Sequence, residues 1–155
     1  YVPALVLDDG DLLTEGPAIL QYVADKAAGP HLAPGNGSIE RYHLQEWLNF
    51  IATELHKGFS PLFNPATPDV MKQPIKDRLL SRFTFVDQQL AGKQYLMGND
   101  FGVADGYLFT MCQWAGFMQI PIDGLANLKA WRERVAARPA VLAALEAEAE
   151  ARKAA

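Results

Sequence analysis

The sequence predicts an α+β chain in two unequal parts: a β-hairpin with one helix over residues 1–34, and an all-α bundle over residues 35–155. Three observations predict it. Two short apolar runs flank an Asp-Gly turn near the start. Gly29, Pro30, Pro34, Gly35, Asn36 and Gly37 crowd into one stretch and mark a linker. Beyond that stretch, apolar residues recur at helical spacing almost to the end.

Taken in order, Tyr1 to Leu7 reads as a first strand, with Pro3 at its start or edge because proline lacks a ladder donor. Asp8-Asp9-Gly10-Asp11 is the turn, since Asp-Gly supplies the positive φ that tight hairpins need. Leu12-Leu13 begins the second strand. Thr14-Glu15-Gly16-Pro17 opens a helix, proline suiting its first position. Ile19, Leu20, Tyr22 and Val23 give that helix an apolar face, and Ala28-Gly29-Pro30 is its stop signal. Ser38 caps a long helix to about Phe59, with Leu44, Trp47, Leu48, Ile51, Ala52 and Leu55 on its buried stripe. Pro61, Pro65 and Pro68 are expected to break the chain. A second helix carries Ile75, Leu79, Phe83, Val86 and Leu90, and Gly92 ends it. A third, from about Val103 to about Ile120, is apolar nearly all round and belongs in the middle of the bundle. A fourth holds Leu125, Leu128, Trp131 and Val135, and a last one follows Pro139.

Composition narrows the function. The 155 residues are 50% hydrophobic and 21% charged, an ordinary globular balance. A formal net charge of −4 argues against nucleic-acid binding, which needs a basic surface. The single Cys112 excludes an intrachain disulfide and any zinc site of several thiolates. Within the most apolar helix it reads as a small buried hydrophobe rather than a nucleophile. His31 and His43 lack partners at metal spacing, so no metal is expected. With no signal-like or membrane-spanning run in the sequence, a cytoplasmic setting is expected.

Three places could carry chemistry. Val2-Pro3 could aim backbone groups at a peptide-like ligand, or could be a plain edge proline. Thr14-Glu15-Gly16 at a helix N-terminus suits a carboxylate on free amides with an amine on Glu15, or simple capping. Asn49, Thr53 and His56 stand at i, i+4, i+7 with Lys57 beside them, forming a polar face that is either a binding surface or a solvated groove.

The order of these features resembles a known family. Val2-Pro3-Ala4-Leu5, the strand turn, Thr14-Glu15-Gly16-Pro17-Ala18-Ile19 and Gln21-Tyr22 resemble the second half of the thioredoxin-like domain of cytosolic glutathione transferases. Phe101-Gly102-Val103-Ala104-Asp105 resembles the family's N-capping signature. Arg41-Tyr42-His43, Glu46-Trp47-Leu48-Asn49-Phe50, Glu54-Leu55-His56-Lys57, Phe59-Ser60-Pro61-Leu62-Phe63 and Arg138-Pro139-Ala140-Val141 are similar to the bacterial beta class.

The resemblance implies a partial thioredoxin-like piece followed by a helical bundle, and transfer of glutathione, the co-substrate, to small apolar electrophiles in detoxification or xenobiotic catabolism. It implies His56 and Lys57 as catalytic residues acting on the thiol, and Val2, Pro3, Glu15, Gly16, Asn49 and Thr53 as glutathione-binding residues, with Pro3 as a cis-proline. Phe59 and Phe63 are the expected electrophile contacts. A C2 homodimer is implied as well. Where the family usually has serine at 16 and serine or threonine at 102, this chain has glycine. The family's opening βαβ unit, about 30 or more residues long, carries the beta-class cysteine and is expected upstream of Tyr1. Cys112 is not its counterpart. The alternative is a non-catalytic module that keeps the fold for binding or association.

Overall fold

The computed structural model describes residues 2–27 and 32–154. The expected stop signal at Ala28-Gly29-Pro30, with Tyr1 and His31, lies outside the described residues. Strand β1 (Ala4–Val6) pairs antiparallel with β2 (Leu12–Thr14), Leu5 opposite Leu13. The turn closes as its residues dictate: Gly10 sits at φ 87°, its amide donates to the Leu7 carbonyl, and the Leu7 amide donates to Asp11. The Val2–Pro3 bond is cis. Helix α1 (Gly16–Lys26) follows, with Pro17 in its first turn.

A continuous helical run then spans three segments: α2 (Ile39–Phe50), a π-helical segment (Ile51–His56) and α3 (Lys57–Phe63). The Ser38 hydroxyl caps it, accepting from the Arg41 amide at 3.1 Å. In the wide turn the Lys57 amide donates to Ala52, five residues back. Pro61 does not break the chain as expected. It lies inside α3, where its missing amide costs one bond in the last turns before the helix ends at Phe63. Helix α4 (Asp69–Gln89) packs back on α3, and α5 (Val103–Phe117) runs through the middle against α1, α2 and α6 (Ala126–Ala136). A 3₁₀ turn (Ile122–Gly124) joins α5 to α6, and α7 (Pro139–Ala154) closes the chain. This is the α+β arrangement expected, a partial thioredoxin-like piece ahead of a helical bundle.

The core is a single cluster: Leu44, Leu48, Ile51, Leu55 and Phe59 meet Leu79, Phe83 and Val86, then Leu108, Met111, Cys112 and Trp131. Burial pushes the Cys112 thiol up to about 12, so it is an inert packing group at neutral pH.

Two polar anchors tie the bundle together. Asp105 is fully buried, and its carboxylate accepts from the Leu96 amide (2.9 Å), the Gly102 amide (3.0 Å) and Trp131 Nε1 (2.8 Å). Gly102 precedes α5 at a close approach, since a Cβ there would stand 3.1 Å from the Leu32 carbonyl oxygen. That carbonyl accepts from the Val103 amide.

Arg41, 3% exposed, is the second anchor. It forks onto Asp25 with two bonds of 2.8 Å and donates to the Pro34 carbonyl and to Gln21 Oε1. One guanidinium thus pins α1, the segment before α2, and α2 itself. Arg41→Ala is expected to lower the unfolding free energy by about 2–3 kcal/mol, the scale of lost hydrogen bonds to a charged donor. The measurement is the urea midpoint. Arg41→Lys should recover only part of it, because an ammonium cannot make the planar fork.

Candidate active site

Helix α1 begins where the hairpin ends, and α3 begins where the π-helical segment ends. Between those two starting points lies a cleft of about 250 Å³. Val2, Pro3, Glu15, Gly16 and Pro17 line one wall; Ala52, His56, Lys57, Ser60 and Tyr107 line the other.

Each wall has a local reason. Glu15 sits at φ 69°, ψ 113°, a conformation costly for a side-chain-bearing residue, directly before α1. Its carbonyl accepts the Ala18 and Ile19 amides, each at 3.0 Å. The Gly16 amide, at the first helical position, has no intrahelical acceptor. A carboxylate side chain thus stands beside a free amide at a helix's positive end.

On the opposite wall His56 is half-buried, and its Nδ1 lies 2.6 Å from the Tyr107 hydroxyl. The Trp114 ring meets the imidazole edge-to-face at 4.9 Å. Burial, and then the neighbouring Lys57 ammonium, hold the His56 pKa below its ordinary value, so the imidazole is neutral at pH 7. Burial, with the Glu15 charge beside it, pushes the Tyr107 phenol up to about 12. The cleft thus offers an amide and a carboxylate at one end, and a neutral imidazole with an ammonium at the other. That set fits a ligand with an α-amino-acid head and a soft, ionisable group some distance away.

The structure brings six of the expected residues to this cleft: Val2, Pro3, Glu15, Gly16, His56 and Lys57. Four lie elsewhere. Asn49 lines a shallow surface depression with Tyr42, His43 and Glu46. Thr53 is exposed, and its hydroxyl donates back to the Asn49 carbonyl at 2.9 Å. Phe59 is fully buried against Phe83 and Trp114, and Phe63 is half-exposed over Trp114. The π-helical segment accounts for the split: Asn49 precedes the wide turn and His56 ends it, so strict i, i+7 spacing no longer keeps them on one face.

The residue that sequence reasoning missed is Tyr107. It reads as one more apolar position of α5, and nothing local marks it, because its partner stands 51 residues away. A larger cleft of about 420 Å³ lies on another face of α2, lined by Trp47, Phe50, Phe85 and Lys93 among others. It is an aromatic groove, and the charge-bearing groups of the smaller cleft make that one the better candidate for chemistry.

Comparison with known proteins bears on this geometry. Residues 50–139 match the family model described as "Glutathione S-transferase, C-terminal domain". Over 147 residues the chain is 47% identical to the glutathione S-transferase GstA of Escherichia coli O157:H7, covering 95% of this chain and 73% of that protein. A sphingomonad glutathione S-transferase solved in complex with glutathione is 44% identical, with a TM-score of 0.91 over 96% of this chain and 74% of that one. A bacterial beta-class glutathione S-transferase from Sphingomonas chungbukensis is 43% identical, with a TM-score of 0.90 over the same shares, 96% and 74%.

Proposed function

The chain belongs to the glutathione S-transferase family, and on that premise we propose that its cleft binds glutathione and delivers the sulfur to a small electrophile. One observation carries the reading: the Glu15–Gly16 helix start and the His56–Lys57 pair line one cleft. That cleft suits the tripeptide's two chemically different ends. The γ-glutamyl carboxylate meets the Gly16 amide and its amine meets Glu15. The backbone of Val2, beside Pro3, faces the cysteinyl part. His56 and Lys57 stand by the thiol, and both favour its thiolate, one by hydrogen bonding and the other by charge.

In the reaction the thiol proton leaves to solvent. The thiolate sulfur then forms a C–S bond with the electrophilic carbon, and the leaving group departs with the electron pair of the bond it breaks. A small apolar electrophile fits the reading. The aromatic surface of half-exposed Phe63 over Trp114 supports a place for it nearby. The domain division at about residue 34, a C2 homodimer and a cytoplasmic setting belong to the same reading. The aromatic groove of Trp47, Phe50 and Phe85 supports the dimer, and no described helix is long and apolar enough to cross a membrane.

The test is retention of the intact protein on immobilised glutathione, together with conjugation of a chloronitrobenzene. Both are expected. Retention without turnover would favour a binding module, and neither would sink the assignment.

A further prediction concerns the glycine at position 16. A Cβ there would stand 3.6 Å from Pro3 Cγ and 3.9 Å from the Tyr107 hydroxyl, which is ordinary contact. Gly16→Ser should therefore be accommodated and add a donor for the γ-glutamyl carboxylate. The KM for glutathione is expected to fall about threefold to tenfold, the worth of one modest hydrogen bond. Initial rates at varied glutathione check it.

A further inference from the structure

We propose that Tyr107 is a positioning residue for His56: its hydroxyl donates to Nδ1 and holds the imidazole as the Nε2–H tautomer, presenting that N–H to the cleft. The 2.6 Å contact admits two arrangements. In one, the phenol donates to Nδ1. In the other, Nδ1–H donates to the phenol oxygen, and the phenol's own proton must find another acceptor. Among the described residues no second partner lies within hydrogen-bond distance of the Tyr107 hydroxyl. In the first arrangement the phenol proton is hydrogen-bonded to Nδ1, and the remaining Nε2–H is left to the open cleft, where solvent or a ligand accepts it. The short distance also suits an O–H donor.

The surroundings hold this geometry in place. Tyr107 projects from α5 between the buried Ala104 and Leu108, and so has a rigid base. Its ring meets the imidazole at 80°, while Trp114 meets it at 89° with ring centroids 4.9 Å apart, so the ring is held by two aromatics and a hydrogen bond. Among the described residues Nε2 has no protein partner, and no unpartnered polar side-chain atom is buried, so Nε2 opens to the cleft. The charged groups facing the pair are Lys57 and Glu15. With the histidine pKa lowered and the phenol's raised, both rings are neutral near pH 7.

The consequence rests on the glutathione reading. His56 acts as a hydrogen-bond donor to a bound thiolate and does not take the thiol proton. It stabilises the nucleophile after ionisation, and Tyr107 ensures that the nitrogen facing the sulfur carries a proton.

The experiment is nitrogen NMR of the intact protein labelled at its histidines, without glutathione, with His56→Gln assigning the signals. Nδ1 is expected to resonate as the unprotonated, pyridine-like nitrogen and Nε2 as the protonated one. In Tyr107→Phe the two should move toward each other as the tautomers mix. Turnover should fall about tenfold, the scale for losing an orienting partner, while the KM for glutathione stays near its original value. A protonated Nδ1 in the unsubstituted protein would overturn the proposal, even if the variant failed to fold. So would a Tyr107→Phe spectrum identical to the parent. The tautomer is read without ligand. A protein that shows the expected spectrum but conjugates nothing would overturn the transferase reading alone.

Discussion

Asp105→Ala is expected to lower the unfolding free energy by about 4 kcal/mol or more, a large share of the roughly 5–15 kcal/mol that holds a domain together. The carboxylate serves three donors from three places: the Leu96 amide in the loop before α5, the Gly102 amide at its start, and the Trp131 indole on α6. Alanine leaves all three buried without an acceptor, each at a cost of about 1–3 kcal/mol. Asp105→Asn keeps one carbonyl oxygen and should lose less. The urea midpoint of each variant decides it, and an unchanged midpoint for Asp105→Ala would remove Asp105 from its place as the bundle's central anchor.

The pH dependence follows from the same carboxyl. Burial raises the Asp105 pKa, and the hydrogen bonds donated to the carboxylate only partly offset this. The fold therefore holds that proton more tightly than the unfolded chain does, and this contribution declines as pH rises through the folded value. Acid unfolding must come from other groups. The Arg41 guanidinium holds the Asp25 carboxyl below its ordinary range, and Lys72 does the same for Asp69. Their contribution is present above the unfolded value and is lost as pH falls through the folded one. In Arg41→Ala the Asp25 share should vanish, flattening the acid limb of the melting-temperature profile.

The second large effect is on turnover. His56→Ala in the intact protein should lower kcat/KM for conjugation about hundredfold near pH 7, within the range for removing one positioned acid–base or electrostatic group. The loss should sit in kcat, because His56 is placed at the thiol rather than at the tripeptide's amino-acid head. Lys57→Ala should instead raise the pH at which the bound thiol ionises. Thiolate absorbance followed against pH reads both variants. Unchanged kinetics for His56→Ala would remove the cleft's chemical centre.

Much of this was legible in the sequence where the cause is local. The Asp-Gly turn closes the hairpin because Gly10 takes the φ that the turn needs. The α4 stripe buries Leu79, Phe83 and Val86 because apolar residues recur at helical spacing. Glu15, Gly16, His56 and Lys57 stood out because each sits at a helix terminus or beside another polar group, and the structure brings them to one cleft. What escaped depends on distance along the chain. Arg41 finds Asp25 sixteen residues away, and Tyr107 finds His56 fifty-one away, and no window of sequence holds either pair. Pro61 misled because proline is read as a helix breaker, whereas here the helix ends two residues later in any case. Asn49 and Thr53 misled because the i, i+7 rule assumes an unbroken α-helix.

That break sets a rule about chain length. The wide turn at Ile51–His56 is in effect one residue added to an otherwise regular helix. Delete one residue there, even exposed Thr53, and the segment can return to ordinary α-helix. The parts before and after it would keep their relative orientation, because the wide turn already absorbs the added residue. Delete a second residue and no wide turn is left to draw on; the part before would then rotate by about 100° relative to the part after, one residue's share of a turn. The Arg41 seat at one end and the His56 face at the other could not both be kept. The two ends are geared to each other through a count of residues. Substitution scanning leaves that count untouched, so comparing deletions of one and of two residues is what would expose it.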